Sequence, residues 1–158
     1  PDRHLAHFVA EQVPEKNFIY NDGCCPIHAR ISQAEIHKAK AEHPRALVLA
    51  HPECTEAVLE TADYIGSTSG IISYAEQSSG EEFIICTEVG VEYELRRRCP
   101  GKQFYFTETR PVCEDMKSIT LEKILNVLRT GENEVLLDGS VINESRQPLE
   151  RMLDLGQK

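Results

Sequence analysis

The 158-residue chain is 41% hydrophobic and 27% charged, a balance that folded globular proteins show and disordered ones do not. Its 17 Lys and Arg against 26 Asp and Glu leave a formal net charge of -9, which argues against a sequence-independent grip on nucleic-acid phosphates and against adhesion to an anionic membrane. No apolar run approaches the roughly 18–20 residues of a spanning helix, so the expectation is a soluble chain with no nucleic-acid and no membrane partner.

The opening residues Pro1-Asp2-Arg3-His4-Leu5 carry neither an initiator Met nor a signal peptide, and the chain reads as starting inside something longer. Asp2 to Val13 suits a short helix with Leu5, Phe8 and Val9 on one face. Asn17 to Tyr20 is a strand candidate stopped by Asn21-Asp22-Gly23. Ser32 and Glu35 have capping-box spacing and open a helix that Pro44 ends. Ala46 to Ala50 is a continuous apolar run of strand length, as in parallel sheets buried on both faces.

The alternation continues with a helix over Thr55 to Thr61, a short strand at Tyr64-Ile65 and a helix over Gly70 to Gln77. Phe83 to Cys86 then reads as a strand, Val91 to Arg98 as a helix and Gln103 to Phe106 as a strand. Four strands separated by helices predict an α/β fold, an αβα sandwich on a four-stranded parallel sheet with right-handed crossovers. After Lys117 the pattern becomes helical, with one helix over Thr120 to Arg129 and another ending near Leu153. Pro148 should kink that last stretch or mark its first turn.

Ligands of open parallel sheets bind beyond the carboxyl ends of the strands, and the least generic segments of this chain fall there. They are Cys24-Cys25-Pro26-Ile27-His28, His51-Pro52-Glu53-Cys54, Gly66-Ser67-Thr68-Ser69-Gly70, Thr87-Glu88-Val89-Gly90 and the loop carrying Cys113. His51 and Glu53 are either a hydrogen-bonded loop pair or a proton shuttle with a base or metal ligand. Ser67 and Thr68 either cap a helix or offer hydroxyl and N–H groups to an anion. Thr87-Glu88 can cap the helix that begins near Val91.

Six cysteines without an export signal read as reduced thiols, for which metal binding competes with burial. Cys86 belongs to an apolar strand and Cys54 faces a helix start, so both read as structural. Cys99 receives no role. Cys25 and Cys113 both occupy strand-end loops, where two thiolates can bind a soft or borderline metal. A zinc reading with Cys24, Cys25 and His28 lacks the paired spacing of ribbon or finger sites.

Taken in order, Cys25-Pro26-Ile27-His28, His51-Pro52-Glu53-Cys54, Gly66 to Ile72, Thr87 to Gly90, Cys113 with Met116-Lys117, Thr120 to Lys123 and the closing Leu149 to Leu153 resemble the quinolinate synthase family over nearly the whole chain. The resemblance implies a bacterial-type enzyme of de novo NAD biosynthesis, a cytoplasmic transferase that condenses iminoaspartate with dihydroxyacetone phosphate to quinolinate. It implies three αβα domains in a pseudo-threefold triangle around a 4Fe-4S cluster, whose open iron acts as a Lewis acid. Functional coupling to L-aspartate oxidase would follow from the same resemblance.

Carried onto this chain, the resemblance makes Cys25 and Cys113 cluster ligands and His51 and Glu53 the catalytic pair. His51, Pro52, Glu53, Ser67 and Thr68 become substrate contacts, and His28 supports the cluster loop. It divides the chain into the end of one αβα domain (1–31), a complete one (32–116) and a closing helical segment (117–158). The third cluster cysteine is then expected in an amino-terminal part that lies outside this sequence. Asn21-Asp22-Gly23-Cys24 departs from the more hydrophobic lead-in of the family. The competing expectation is a non-catalytic α/β fragment that binds a small carboxylate or a protein partner.

Overall fold

Leu47 to Ala50 and Phe83 to Cys86 are buried almost throughout, and the computed structural model, which describes residues 2–156, shows why: they are the two central strands of a sheet covered on both faces. In chain order the elements are α1 (Arg3–Gln12), α2 (Gln33–Glu42), β1 (Leu47–Ala50), α3 (Glu56–Leu59), β2 (Tyr64–Ile65), α4 (Thr68–Gln77), β3 (Glu82–Cys86), α5 (Val91–Arg98), β4 (Gln103–Phe106), α6 (Glu114–Lys117), α7 (Leu121–Thr130) and α8 (Gly139–Gly156). The four strands form one sheet in the order β2-β1-β3-β4, and every pairing is parallel. This is the α/β sandwich that the alternation of strands and helices predicts.

Side chains alternate across each strand, and the core divides accordingly. Leu49, Phe83 and Ile85 pack with Ile71, Ala75 and Leu95 of α4 and α5 on one face. Val48, Ala50, Ile84 and Cys86 pack with Ile36 of α2 and Val58 of α3 on the other. The connections therefore diverge: α3 leaves β1 on one face, and α5 leaves β3 on the opposite face. Between the carboxyl ends of β1 and β3 this reversal opens a crevice, the usual ligand position of an open parallel sheet.

Asn17 to Tyr20 does not form a strand. A β-prone run becomes a strand only where a neighbour accepts its backbone groups, and none of the sheet's strands pairs with it among the described residues; Ile19 is fully exposed. The helix expected over Thr55 to Thr61 is the single turn of α3, because the chain must return quickly to Tyr64 on the neighbouring strand. α8 runs through Pro148 as one helix, so that proline lies well inside the helix rather than in its first turn. Residues 1, 157 and 158, the outermost positions of the expected terminal segments, lie outside the described residues.

Two compact units are present, one up to Glu114 and one from Asp115 onward. The first contains the whole sheet. In the second, Thr120 caps α7 by accepting the Lys123 N–H, and Gly131 ends that helix in the left-handed conformation (φ 68°), where glycine carries no Cβ penalty. Among the described residues no helix is long and apolar enough to cross a membrane.

α2 sets one flank of the site and starts with the expected capping box. Ser32 Oγ accepts the Glu35 N–H, and Glu35 reaches back to the Ser32 N–H. Glu35 also accepts the Thr109 N–H at 2.7 Å, which ties the loop after β4 to this helix. Replacing Ser32 by Ala should cost about 1 kcal/mol of stability, measurable by denaturant unfolding. An unchanged midpoint would mean that Glu35 holds the helix start alone.

Candidate functional site

The crevice between β1 and β3 is continued by one further ladder bond, from His51 N–H to the Cys86 carbonyl at 3.1 Å. The residues after β1 (His51, Pro52, Glu53) therefore lie beside those after β3 (Thr87, Glu88). A third segment enters from earlier in the chain. The Cys25 carbonyl accepts the Ala29 N–H, and a single turn of 3-10 helix at His28–Arg30 follows. Ile31, 3% exposed, anchors that turn in the core.

His28 is the centre of this meeting point. It is buried, and its Nε2 is 2.9 Å from Oγ1 of the equally buried Thr87. Its Nδ1 lies 3.0 Å from Glu53 Oε2 but makes no aligned hydrogen bond among the described residues. The His51 ring stacks on it with centroids 4.5 Å apart. Cys25 completes the group: ligating atoms of Cys25, His28 and Glu53 all lie within 4.8 Å of one another.

Burial pushes the His28 imidazole below its ordinary pKa, the neighbouring His51 adds to this, and Glu53 offsets only part of it. Burial likewise lowers His51, against the pull of Glu53. The Glu53 N–H donates to His51 Nδ1 at 3.3 Å, which leaves the proton of the neutral ring on Nε2.

Two carboxylates hold the cysteine loops. Asp2, buried at the start of α1, accepts the Leu5 N–H at 2.9 Å and the Cys25 N–H at 2.6 Å. Burial opposes its charge, but these N–H groups prevail and hold its carboxyl below the usual range. Glu88 accepts the Gly90 N–H at 2.6 Å and the Cys113 N–H at 3.2 Å, while the Val89 N–H donates to the Pro111 carbonyl. Glu88 does not cap α5 as expected, since the N-cap is Gly90 and no side chain bonds to the first turn; it fastens the Cys113 loop to the end of β3 instead. Cys113 itself is not among the atoms grouped with Cys25.

The six thiols sort by environment. Burial pushes Cys54 up to about 12 and Cys86 and Cys99 up as well, so these three stay protonated and inert. Cys24, Cys25 and Cys113 are only half-buried. On the other side of β1, the Gly66 N–H donates to the Ala50 carbonyl at 3.0 Å, which sets the Ser67-Thr68 turn at the same sheet edge. Ser67 Oγ accepts the Gly70 N–H and Thr68 begins α4; both are exposed, whereas Pro52 is buried beneath the loop. Capping is therefore present at Ser67, and the outer N–H groups of the helix face an exposed turn.

Sequence reasoning places His51, Glu53 and Cys25 at this edge but leaves Thr87 as a capping residue and Asp2 as a helix residue. For Thr87 the available signal was its position, the first residue after a central strand at the reversal point. Asp2 gave no signal, because its contact with Cys25 spans two segments with no shared pattern.

A thiol, two imidazoles and a carboxylate thus gather at the strand-order reversal, the edge at which open parallel α/β sheets take their ligands. The sequence profile described as NadA, Quinolinate synthetase A protein, matches residues 1–154. Quinolinate synthase of Caldicellulosiruptor saccharolyticus is 43% identical over 155 residues, covering 98% of this chain and 51% of that protein. Its counterparts from Clostridioides difficile and Aquifex aeolicus are 41% and 42% identical, covering 99% and 98% of this chain and 52% and 50% of theirs. The chain belongs to the quinolinate synthetase A family, and it spans about half the length of the curated relatives it matches.

Two outcomes test the site's construction. A Cβ on Gly66 would lie 2.6 Å from Tyr64 Oη, and that ring is pinned by stacking on Tyr74 at 4.4 Å. Gly66→Ala should cost about 1–3 kcal/mol, and less when Tyr64 is also cut to Ala. Equal costs in both backgrounds would clear the tyrosine. The second outcome concerns pH. Because His28 and His51 are held below the ordinary 6.5, the unfolded chain takes up protons first as pH falls. Their contribution is fully present above 6.5 and declines below it. The melting temperature should therefore drop between about pH 7 and 5, with a shallower slope in the His28→Gln/His51→Gln variant. An identical slope would place the effect elsewhere.

Proposed function

We propose that this chain carries one side of a quinolinate synthase active site, which condenses iminoaspartate with dihydroxyacetone phosphate to quinolinate with loss of phosphate and water, in the cytoplasm and in de novo NAD biosynthesis. The observation that carries the reading is the line Thr87–His28–Glu53, with His51 stacked on its centre, at the reversal point of the sheet in a chain of this family. In this reading residues 1–31, 32–116 and 117–158 are the end of one αβα domain, a complete one and a closing segment. The other half of a three-domain protein supplies the remaining site residues, and L-aspartate oxidase is a functional neighbour.

The cysteines fit a 4Fe-4S cluster by their chemistry. Cys25 and Cys113 are half-buried thiols on strand-end loops, each with its backbone N–H fixed by a carboxylate, whereas the buried Cys54, Cys86 and Cys99 are too hard to ionise. Cys25 and Cys113 would hold two irons, with a third cysteine from outside this chain, and the bound cluster supplies Lewis acidity.

The chain's own groups move the protons. Glu53, as a carboxylate 3.0 Å from a neutral imidazole, can take a proton released from carbon or nitrogen. His28 shares its other ring nitrogen with the Thr87 hydroxyl, which fixes the ring and so holds Glu53 in place. His51 offers its Nε2 proton to a substrate oxygen. The N–H groups and hydroxyls of Ser67 and Thr68 at the start of α4 favour the substrate carboxylates through hydrogen bonds and the helix dipole. The positioned pairs leave little reorganisation to the reaction itself.

Glu53→Gln keeps shape and some hydrogen bonding but cannot accept a proton. With the chain joined to the amino-terminal half of a relative and reconstituted anaerobically, the variant should lose about 10²–10⁴-fold in turnover while iron content stays nearly unchanged. Near-normal turnover with full iron would remove Glu53 from the mechanism. Loss of iron together with activity would make it structural. An unsubstituted protein that takes up iron and forms no quinolinate would overturn the reading itself.

A further inference from the structure

We propose that Thr87 is a positioning residue: its hydroxyl donates to His28 Nε2 and holds that ring with its single proton on Nδ1, toward Glu53, so that the two stacked histidines carry opposite tautomers. The chemical consequence rests on the proposed function: His51, and not His28, is the imidazole that gives a proton to substrate.

The neighbours of the His28 ring decide where its proton sits. The ring is buried, and burial favours its neutral form, in which one nitrogen carries hydrogen and the other a lone pair. Nδ1 has Glu53 Oε2 3.0 Å away, and an ionised carboxylate only accepts. A lone pair on Nδ1 would face the lone pairs of that oxygen, so the proton belongs on Nδ1. Nε2 is then an acceptor, and Thr87 Oγ1 stands 2.9 Å from it. A hydroxyl can turn its hydrogen to donate or present a lone pair to accept; here only donation satisfies both atoms. Thr87 is 2% exposed, too buried for solvent to take over that bond.

His51 is arranged the other way round. Its Nδ1 accepts the Glu53 N–H at 3.3 Å, which puts the proton of the neutral ring on Nε2. The two rings stack with centroids 4.5 Å apart and planes 18° from parallel. Glu53 therefore sets both tautomers, one through its backbone N–H and one through its carboxylate. Both nitrogens of His28 are committed inside the protein, whereas the Nε2–H of His51 is bonded to nothing among the described residues. That N–H is the one free to meet a substrate oxygen.

Thr87 suits the task because it follows β3 directly, so the register of the central strands fixes where its hydroxyl stands. Its branched Cβ also restricts the side chain's rotation. Without the hydroxyl, Nε2 is left as an unpaired buried acceptor, which is costly. The ring then turns, and Glu53 loses the donor that orients its carboxylate.

Nitrogen-15 NMR of the reduced, metal-free 158-residue chain, labelled at histidine and held at about pH 8, above the ordinary histidine range, reads the tautomers directly. His28 should show a protonated Nδ1 and an unprotonated Nε2, and His51 the reverse, each assigned by its loss in His28→Gln or His51→Gln. This measurement needs no change at Thr87. Thr87→Val keeps the shape without the hydroxyl; its His28 Nδ1–H should exchange with solvent faster, and Thr87→Ser should restore the slow exchange. In the chain joined to the amino-terminal half of a relative and reconstituted anaerobically, Thr87→Val should lower kcat about tenfold, the worth of one hydrogen bond. KM should change little, because Thr87 is buried behind His28, and Thr87→Ser should recover most of the loss. A His28 ring protonated on Nε2, one tautomer shared by both rings, normal turnover of Thr87→Val, or a serine variant no better than valine would each overturn the proposal. Failure of the unsubstituted joined protein to form quinolinate would overturn the proposed function instead, while the NMR of the 158-residue chain still decides the tautomers.

Discussion

The pairing of β1 with β3 is the constraint on which the site depends. Four register positions, from Leu47 with Phe83 to Ala50 with Cys86, and the following bond from His51 N–H to the Cys86 carbonyl fix where each strand ends. A slip of one residue would send Phe83 and Ile85 to the opposite face and carry Thr87 away from His28. Both strands are buried on both faces, so every such slip exchanges core residues and is strongly opposed. The position of the chemistry is thereby set by the packing of residues that take no part in it.

Polar contacts then refine what the strands begin. His28 and Thr87 are 59 positions apart in sequence and both buried, and neither would be tolerated there alone, because an unpaired buried polar group is costly. Asp2 and Glu88 act over shorter separations, 23 and 25 positions, each fastening the backbone of a half-exposed cysteine to a secondary-structure end. A carboxylate bound to backbone N–H groups is held in one orientation. These two therefore fix loop shape without contributing a ligand to the sulfur.

The same environment separates half-exposed from buried thiols. Cys54 donates to the Cys86 carbonyl at 3.4 Å inside an apolar core that also contains Cys86, and burial keeps both protonated. Cys25 and Cys113 escape that core only because their loops extend past the strand ends.

The continuous apolar runs at 46–50 and 83–86, the capping box at Ser32 and Glu35 and the alternation of strand and helix determine the parallel sheet from the sequence alone. They are local, periodic signals, and burial on both faces leaves little else for such runs to be. His51, Glu53 and Cys25 were legible as candidates for the related reason that odd polar residues directly after central strands must sit at the carboxyl edge. The run at 17–20 has the composition of a strand and forms none, because pairing is a property of two segments and no second one meets it among the described residues. Only the tertiary structure decided that His28 bridges Thr87 and Glu53, that Asp2 holds Cys25, and that Glu53 rather than Cys24 stands beside that thiol. Those contacts join residues separated by dozens of positions, and no periodicity links them. Their geometry exists only once both faces of the sheet are packed.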